Sequence, residues 1–174
     1  MSSQNEWEDV SNSNVSIKEE TNPQLSIVKP TPRPADQKPI RAILTLRDRK
    51  RGISETAYNF QSLLDVLNSY RDAIFIHIDL SFQLINNKHL LQLASTLKRL
   101  RVVQTLKINL ERCVLLTPYA AKYLREALKN QNSLKILDIS LQHDCGMFDA
   151  APKHLARAIK GYRLEKLNLN FGFF

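Results

Sequence analysis

A chain of 174 residues has room for one domain and a tail. Its 43% hydrophobic and 24% charged residues are usual for a globular protein, and no apolar run approaches the ~20 residues that span a bilayer, so membrane insertion is not expected. Charge is uneven: residues 1–40 carry four Lys/Arg against six Asp/Glu, and residues 41–174 carry 21 against 11, so the basic body favours an acidic partner.

The opening residues, through Glu6, Glu8 and Asp9, are polar and acidic, unlike a secretory or mitochondrial leader. Two cysteines, Cys113 and Cys145, make no disulfide framework. Together these predict a cytoplasmic address, with the nucleus or a cytoskeletal or ciliary assembly left open. Residues 1–40 are rich in Ser, Asn, Glu and Pro and poor in large apolar side chains, which predicts a disordered tail. Within it, residues 29–34 (KPTPRP) read as a stiff spacer or a polyproline ligand. Trp7 among Glu6, Glu8 and Asp9 has the pattern of a short docking motif, and Ile17-Lys18-Glu19-Glu20 that of a sumoylation acceptor.

From residue 41 the dominant signal is a repeat. An apolar residue is followed by others three, five and seven positions on: Ala73-Ile76-Ile78-Leu80, Val103-Leu106-Ile108-Leu110, Leu134-Leu137-Ile139-Leu141 and Leu164-Leu167-Leu169-Phe171. A weaker copy places Leu44 and Leu46 in the middle, with Arg41 and Asp48 at the outer positions, and reads as an N-terminal cap. Alternation at period two marks strands with one buried face. Between them lie helical patterns: Phe60, Leu63, Leu64 and Leu67; then Leu90, Leu93, Ala94, Leu97 and Leu100; then Ala120, Tyr123, Leu124, Ala127 and Leu128; then Leu155, Ala158 and Ile159. Thr117-Pro118 predicts an N-cap followed by a first-turn proline, and Gly161 a helix-ending glycine. Units of about 30 residues are too small to bury their own apolar faces, so they must stack.

These units resemble leucine-rich repeats of the long, helix-containing kind found in ribonuclease inhibitor and in the activator of the Ran GTPase. The resemblance covers residues 41–174. It implies an α/β leucine-rich-repeat solenoid: a curved parallel sheet of about five strands inside, helices outside, and a tail before it. That family usually has Asn or Cys where Ser81, Glu111, Gln142 and Gly172 stand here; Cys113 and Cys145, two or three residues later, are placed to take part of that role.

On the concave face the pattern presents Thr45 and Arg47, His77 and Asp79, Lys107 and Asn109, Asp138 and Ser140, and Asn168 and Asn170. Arg47 is expected beside Asp79, and Lys107 beside Asp138. One step earlier lies a more apolar column, Ile43, Phe75, Thr105, Ile136 and Lys166, a candidate docking patch. The run Phe171, Phe173 and Phe174 follows the last strand with no closing helix. That predicts either a fragment of a longer chain or a strand edge that pairs with another chain. Basic residues cluster at Arg47, Arg49, Lys50 and Arg51 and at Lys98, Arg99 and Arg101, on opposite rims. Lys122, Arg125, Lys129, Lys153, Arg157 and Lys160 are placed to align as a convex stripe across two helices.

No catalytic constellation stands out. His77, His89, His143 and His154 are scattered, and neighbours such as His143, Asp144 and Cys145 seldom converge on one centre. Two thiols fall short of a zinc site, so no metal or cofactor is expected. The leading reading is a non-catalytic protein–protein interaction scaffold or adaptor, a subunit of a larger assembly with an acidic protein partner. The alternative is RNA binding through the basic helices, and a third, by fold analogy alone, is regulation of a small GTPase.

Overall fold

The computed structural model describes residues 40–46, 53–129, 131–142, 147 and 150–172, and side chains of the first helix from Phe60 onward. The predicted tail, the basic run Arg47, Arg49, Lys50 and Arg51, the loop with His143 and Cys145, and Phe173 and Phe174 lie outside the described residues. The elements alternate: β1 (Arg41–Thr45), α1 (Ile53–Ser69), β2 (Phe75–Asp79), α2 (Asn87–Leu97), β3 (Thr105–Asn109), α3 (Ala120–Leu128), β4 (Ile136–Ser140), α4 (Ala151–Ile159) and β5 (Lys166–Asn170). The five strands form one parallel sheet in chain order. Each helix packs on the next.

Parallel sheets covered on both faces have strands that read as continuous apolar runs. Here β2, β3 and β4 alternate strictly between buried and half-buried residues. The helices therefore cover one face and leave the other open. Ile76, Ile78, Leu106, Ile108, Leu137 and Ile139 point into a core shared with Phe60, Leu63 and Leu67 of α1, Leu90, Leu93 and Leu97 of α2, and Leu124 and Leu128 of α3. The last unit is less covered. Leu167 is 46% exposed, and Leu164, Leu169 and Phe171 are only partly buried against the core. Among the described residues no strand lies beyond β5.

The register of β1 corrects the sequence reading. Ala42, not Leu44, is the partner of Ile76, and Leu44 pairs with Ile78. Leu46 continues the ladder by donating its N–H to the Asp79 carbonyl at 3.0 Å, and it is buried. A slip of two residues leaves Ile43, Leu44, Thr45 and Leu46 on their expected faces, because the strand period is two. It does move each residue one row along the sheet. Arg41 thus leaves the core position assigned to it and stands exposed on the open face beside Phe75.

Polar groups are satisfied across units at the same spacing as the apolar ones. The buried thiol of Cys113 donates to the Leu80 carbonyl of the preceding unit at 3.1 Å. Gln131 Nε2 donates to the last-turn carbonyl of α2, Leu97, at 2.7 Å, and the Tyr162 hydroxyl to that of α3, Leu128. Helix ends leave such carbonyls without an intrahelical partner, so the ends of α2 and α3 each gain a donor from the next unit, beside the Leu100 and Gln131 N–H groups that they also accept. Thr117 departs from its predicted role. The cap of α3 is Tyr119, with no side-chain bond, while Thr117 accepts from Asn87 Nδ2 at 2.7 Å and donates its N–H to Asn87 Oδ1 at 3.1 Å. Gly161 has φ +91° just past α4, as a helix-ending glycine should.

The start of α2 is fixed by a reciprocal cap. Asn86 accepts from the N–H groups of Lys88 and His89 at 3.0 and 3.3 Å, and His89 Nδ1 accepts the Asn86 N–H at 3.1 Å. The imidazole also packs on Phe60, with centroids 4.9 Å apart. Burial pushes the pKa of His89 below its ordinary value. Below about pH 6.5 the unfolded chain then binds a proton that the folded chain resists, so stability falls as pH drops from neutral. His89→Gln, whose amide oxygen can still accept the Asn86 N–H, should flatten the fall in urea midpoint between about pH 7 and 5. Stacking makes a second expectation. Leu137→Ala should cost ~2–5 kcal/mol by urea denaturation, and Leu167→Ala, at the equivalent but half-open position, under ~1.5 kcal/mol. Equal losses would contradict the one-sided burial.

Candidate functional site

With β1 in its actual register the open face carries three rows. The first is Arg41, Phe75, Thr105, Ile136 and Lys166; the second Ile43, His77, Lys107, Asp138 and Asn168; the third Thr45, Asp79, Asn109, Ser140 and Asn170. The expected apolar column is therefore right at Phe75, Thr105, Ile136 and Lys166 and wrong at Ile43. That residue is 57% exposed, one row along beside His77. Its place is taken by Arg41, whose guanidinium lies 4.5 Å from the Phe75 ring centroid, a cation–π contact.

The first two rows enclose a depression of about 280 Å³ lined by Arg41, Phe75, Thr105, Lys107, Ile136, Leu137, Asp138, Lys166 and Asn168. Phe75 and Ile136 supply half-buried apolar surface. Arg41 and Lys166 stand exposed at its two ends, on β1 and β5. The predicted Lys107–Asp138 neighbours are 3.9 Å apart, and Asp138 also accepts from Asn168 Nδ2 at 3.0 Å. Among the described residues neither Arg41 nor Lys166 has a carboxylate partner. Three cations around one already engaged carboxylate leave the depression with net positive charge beside an aromatic ring. Such a surface suits a carboxylate-bearing segment with an apolar side chain.

At the far end of the strands the third row makes a repeated turn. Asp79, Asn109 and Asn170 accept, through Oδ1, the N–H groups of Ser81, Glu111 and Gly172 at 3.1, 3.1 and 3.2 Å. The turn ends in a left-handed residue, Phe82 (φ 62°) in one unit and Arg112 (φ 55°) in the next, with the guanidinium 5.3 Å from the ring centroid. Asp79 thus stands beside Thr45 rather than Arg47 and spends an oxygen on its own turn. These turn bonds come from residues two places before Ser81, Glu111 and Gly172, a position that the sequence reading took only as surface.

Two of the predicted basic sets fall within the described residues. Lys98, Arg99 and Arg101 are exposed where α2 ends. Lys122, Arg125, Lys129, Arg157, Lys153 and Lys160 do fall on the packed pair α3 and α4, around a cleft of about 220 Å³ that includes Arg125, Lys129 and Arg157. Glu126 pairs with Arg125 at 3.3 Å and offsets part of this charge. Phe171, the last apolar position of its repeat and a candidate contact, is half-buried against the core. Among the described residues no group of three or more His, Cys, Asp or Glu side chains gathers as a metal site, and no helix is long and apolar enough to cross a membrane.

No protein-family model matches the chain, and no curated protein matches its sequence. On the helical face His154 reports the local charge. Its pKa is lowered first by burial, then by the cations Arg125, Arg157, Lys153 and Lys122. Arg157→Gln should raise that pKa toward the ordinary value in an NMR titration of the imidazole, and added salt should do the same. An unmoved titration would mean that the cations do not converge there.

Proposed function

We propose that this protein is a non-catalytic interaction module of the leucine-rich-repeat kind, a subunit of a cytoplasmic assembly. Its open sheet face takes up an extended acidic segment of a protein partner, anchored by an apolar side chain. The observation that supports this reading is the depression between Arg41 and Lys166, in which Phe75 and Ile136 lie beside cations with no carboxylate partner among the described residues. Five strands at ~4.8 Å spacing span about 19 Å, the length of five or six extended residues. Charges at the rim speed encounter and set polarity, while the buried apolar anchor slows dissociation.

Nucleic acid is the second reading, carried by the basic α3–α4 face around His154. It requires that RNA phosphates raise the His154 pKa and leave the open face untouched, with affinity falling steeply as salt rises.

A fluorescein-labelled peptide Asp-Glu-Phe-Glu-Asp should bind the full chain, as followed by anisotropy. Arg41→Glu with Lys166→Glu should weaken it about tenfold, the sum of two exposed charge contacts at ~0.2–1 kcal/mol each and their reversal. Replacing Phe by Ser in the peptide should abolish binding. Equal affinity for all four combinations would contradict the reading.

A further inference from the structure

The same chain holds a segment with the chemistry that the depression selects. Glu6, Trp7, Glu8, Asp9 and Val10 place an indole among three carboxylates, and Trp7 is the one tryptophan of the sequence. We propose that this segment of the N-terminal tail docks in the open-face depression of its own chain and is displaced by the acidic segment of the partner. The proposal rests on the reading of the depression as a receptor for acidic segments.

Four observations favour this occupant. The charges are complementary, with Glu6, Glu8 and Asp9 opposite Arg41, Lys107 and Lys166. Phe75 and Ile136 offer the indole the apolar surface within the depression. Five extended residues at ~3.3 Å each cover about 17 Å, close to the width of the five-stranded face. The connection also starts in the right place. The Ile40 carbonyl accepts the Ile74 N–H at 3.1 Å, so the chain that comes from the tail enters the sheet beside Phe75 and Arg41, at the lip of the depression.

Reach and concentration agree. Twenty-nine residues, 11–39, join Val10 to Ile40. A flexible linker of that length has a root-mean-square span of ~30 Å, more than the face requires. A tether of this kind holds the segment at an effective concentration on the order of millimolar. A site too weak to capture a free peptide at cellular concentrations would therefore still be filled in cis, and a partner must carry a better anchor or a second contact, or a free peptide be present in excess, to displace the tail.

The test uses the fluorescence of Trp7 in the full chain, read as emission maximum and acrylamide quenching. A docked indole should emit to the blue of a synthetic peptide of residues 1–14 and be quenched several-fold less. Lys166→Glu with Arg41→Glu, and separately Glu6→Lys with Glu8→Lys and Asp9→Lys, should each restore the quenching of the free peptide. Quenching in the wild type equal to that of the free peptide overturns the proposal. So does protection that survives both sets of reversals, since Trp7 would then be covered elsewhere. Protection that grows with protein concentration overturns it in favour of a second copy. The tail-reversed chain separates this failure from that of the receptor reading. If it binds the labelled acidic peptide while the wild-type Trp7 is exposed, the depression is a receptor without self-docking; if it binds nothing, both readings fail.

Discussion

The structure depends on one constraint: no strand–helix unit of about 30 residues can bury its own apolar face. Leu106 and Ile108 on β3 are covered only because neighbouring units stand in register on both sides, and Leu167 on β5, without a further strand among the described residues, is half exposed. The polar bonds obey the same rule. Cys113 reaches Leu80, Gln131 reaches Leu97, and Tyr162 reaches Leu128, each one unit back. A shift in register would therefore expose leucines and break these bonds between units at once. Because the penalties coincide, the parallel ladder is strongly specified.

That ladder also writes the open face. Residues separated by about 30 positions become neighbours ~4.8 Å apart, so the chemistry of the surface is decided by rows rather than by local sequence. Row one holds Arg41, Phe75, Ile136 and Lys166, from four different units. Row two spends its one carboxylate, Asp138, on Lys107 and Asn168. The depression keeps its cations at the ends and its apolar surface between them, an order that no continuous stretch of the chain contains.

Much of this was legible in the sequence, and the failures have specific causes. Four copies of the strand motif fixed β2 to β5, and leucines at helical spacing fixed the helices. The first strand was misplaced because Ala42, Leu44 and Leu46 offer three equally spaced apolar residues. The reading centred on Leu44 and Leu46 made Leu46 an inner rather than the outer position. A period-two pattern cannot distinguish registers two residues apart; backbone pairing can, and Asp79 receives the Leu46 N–H. Arg41 was lost to the site for that reason alone. Thr117 was misread because its hydroxyl finds a better partner in Asn87, thirty residues away, and a local capping rule does not see that contact. The turn carboxylate and amides of Asp79, Asn109 and Asn170 were visible as a column, yet their role appears only when the chain turns back on them.

The register of β1 carries the most weight, since it brings Arg41 to the site and Ile40 to its lip. Inter-strand nuclear Overhauser effects between backbone protons of the labelled full chain measure it directly. The structure requires contacts that join residue 42 to 76, 76 to 106, 106 to 137 and 137 to 167, with Arg41 beside Phe75. Contacts joining 44 to 76 would contradict it and take Arg41 out of the depression, and contacts between strands that are not sequence neighbours would contradict the sheet as a whole.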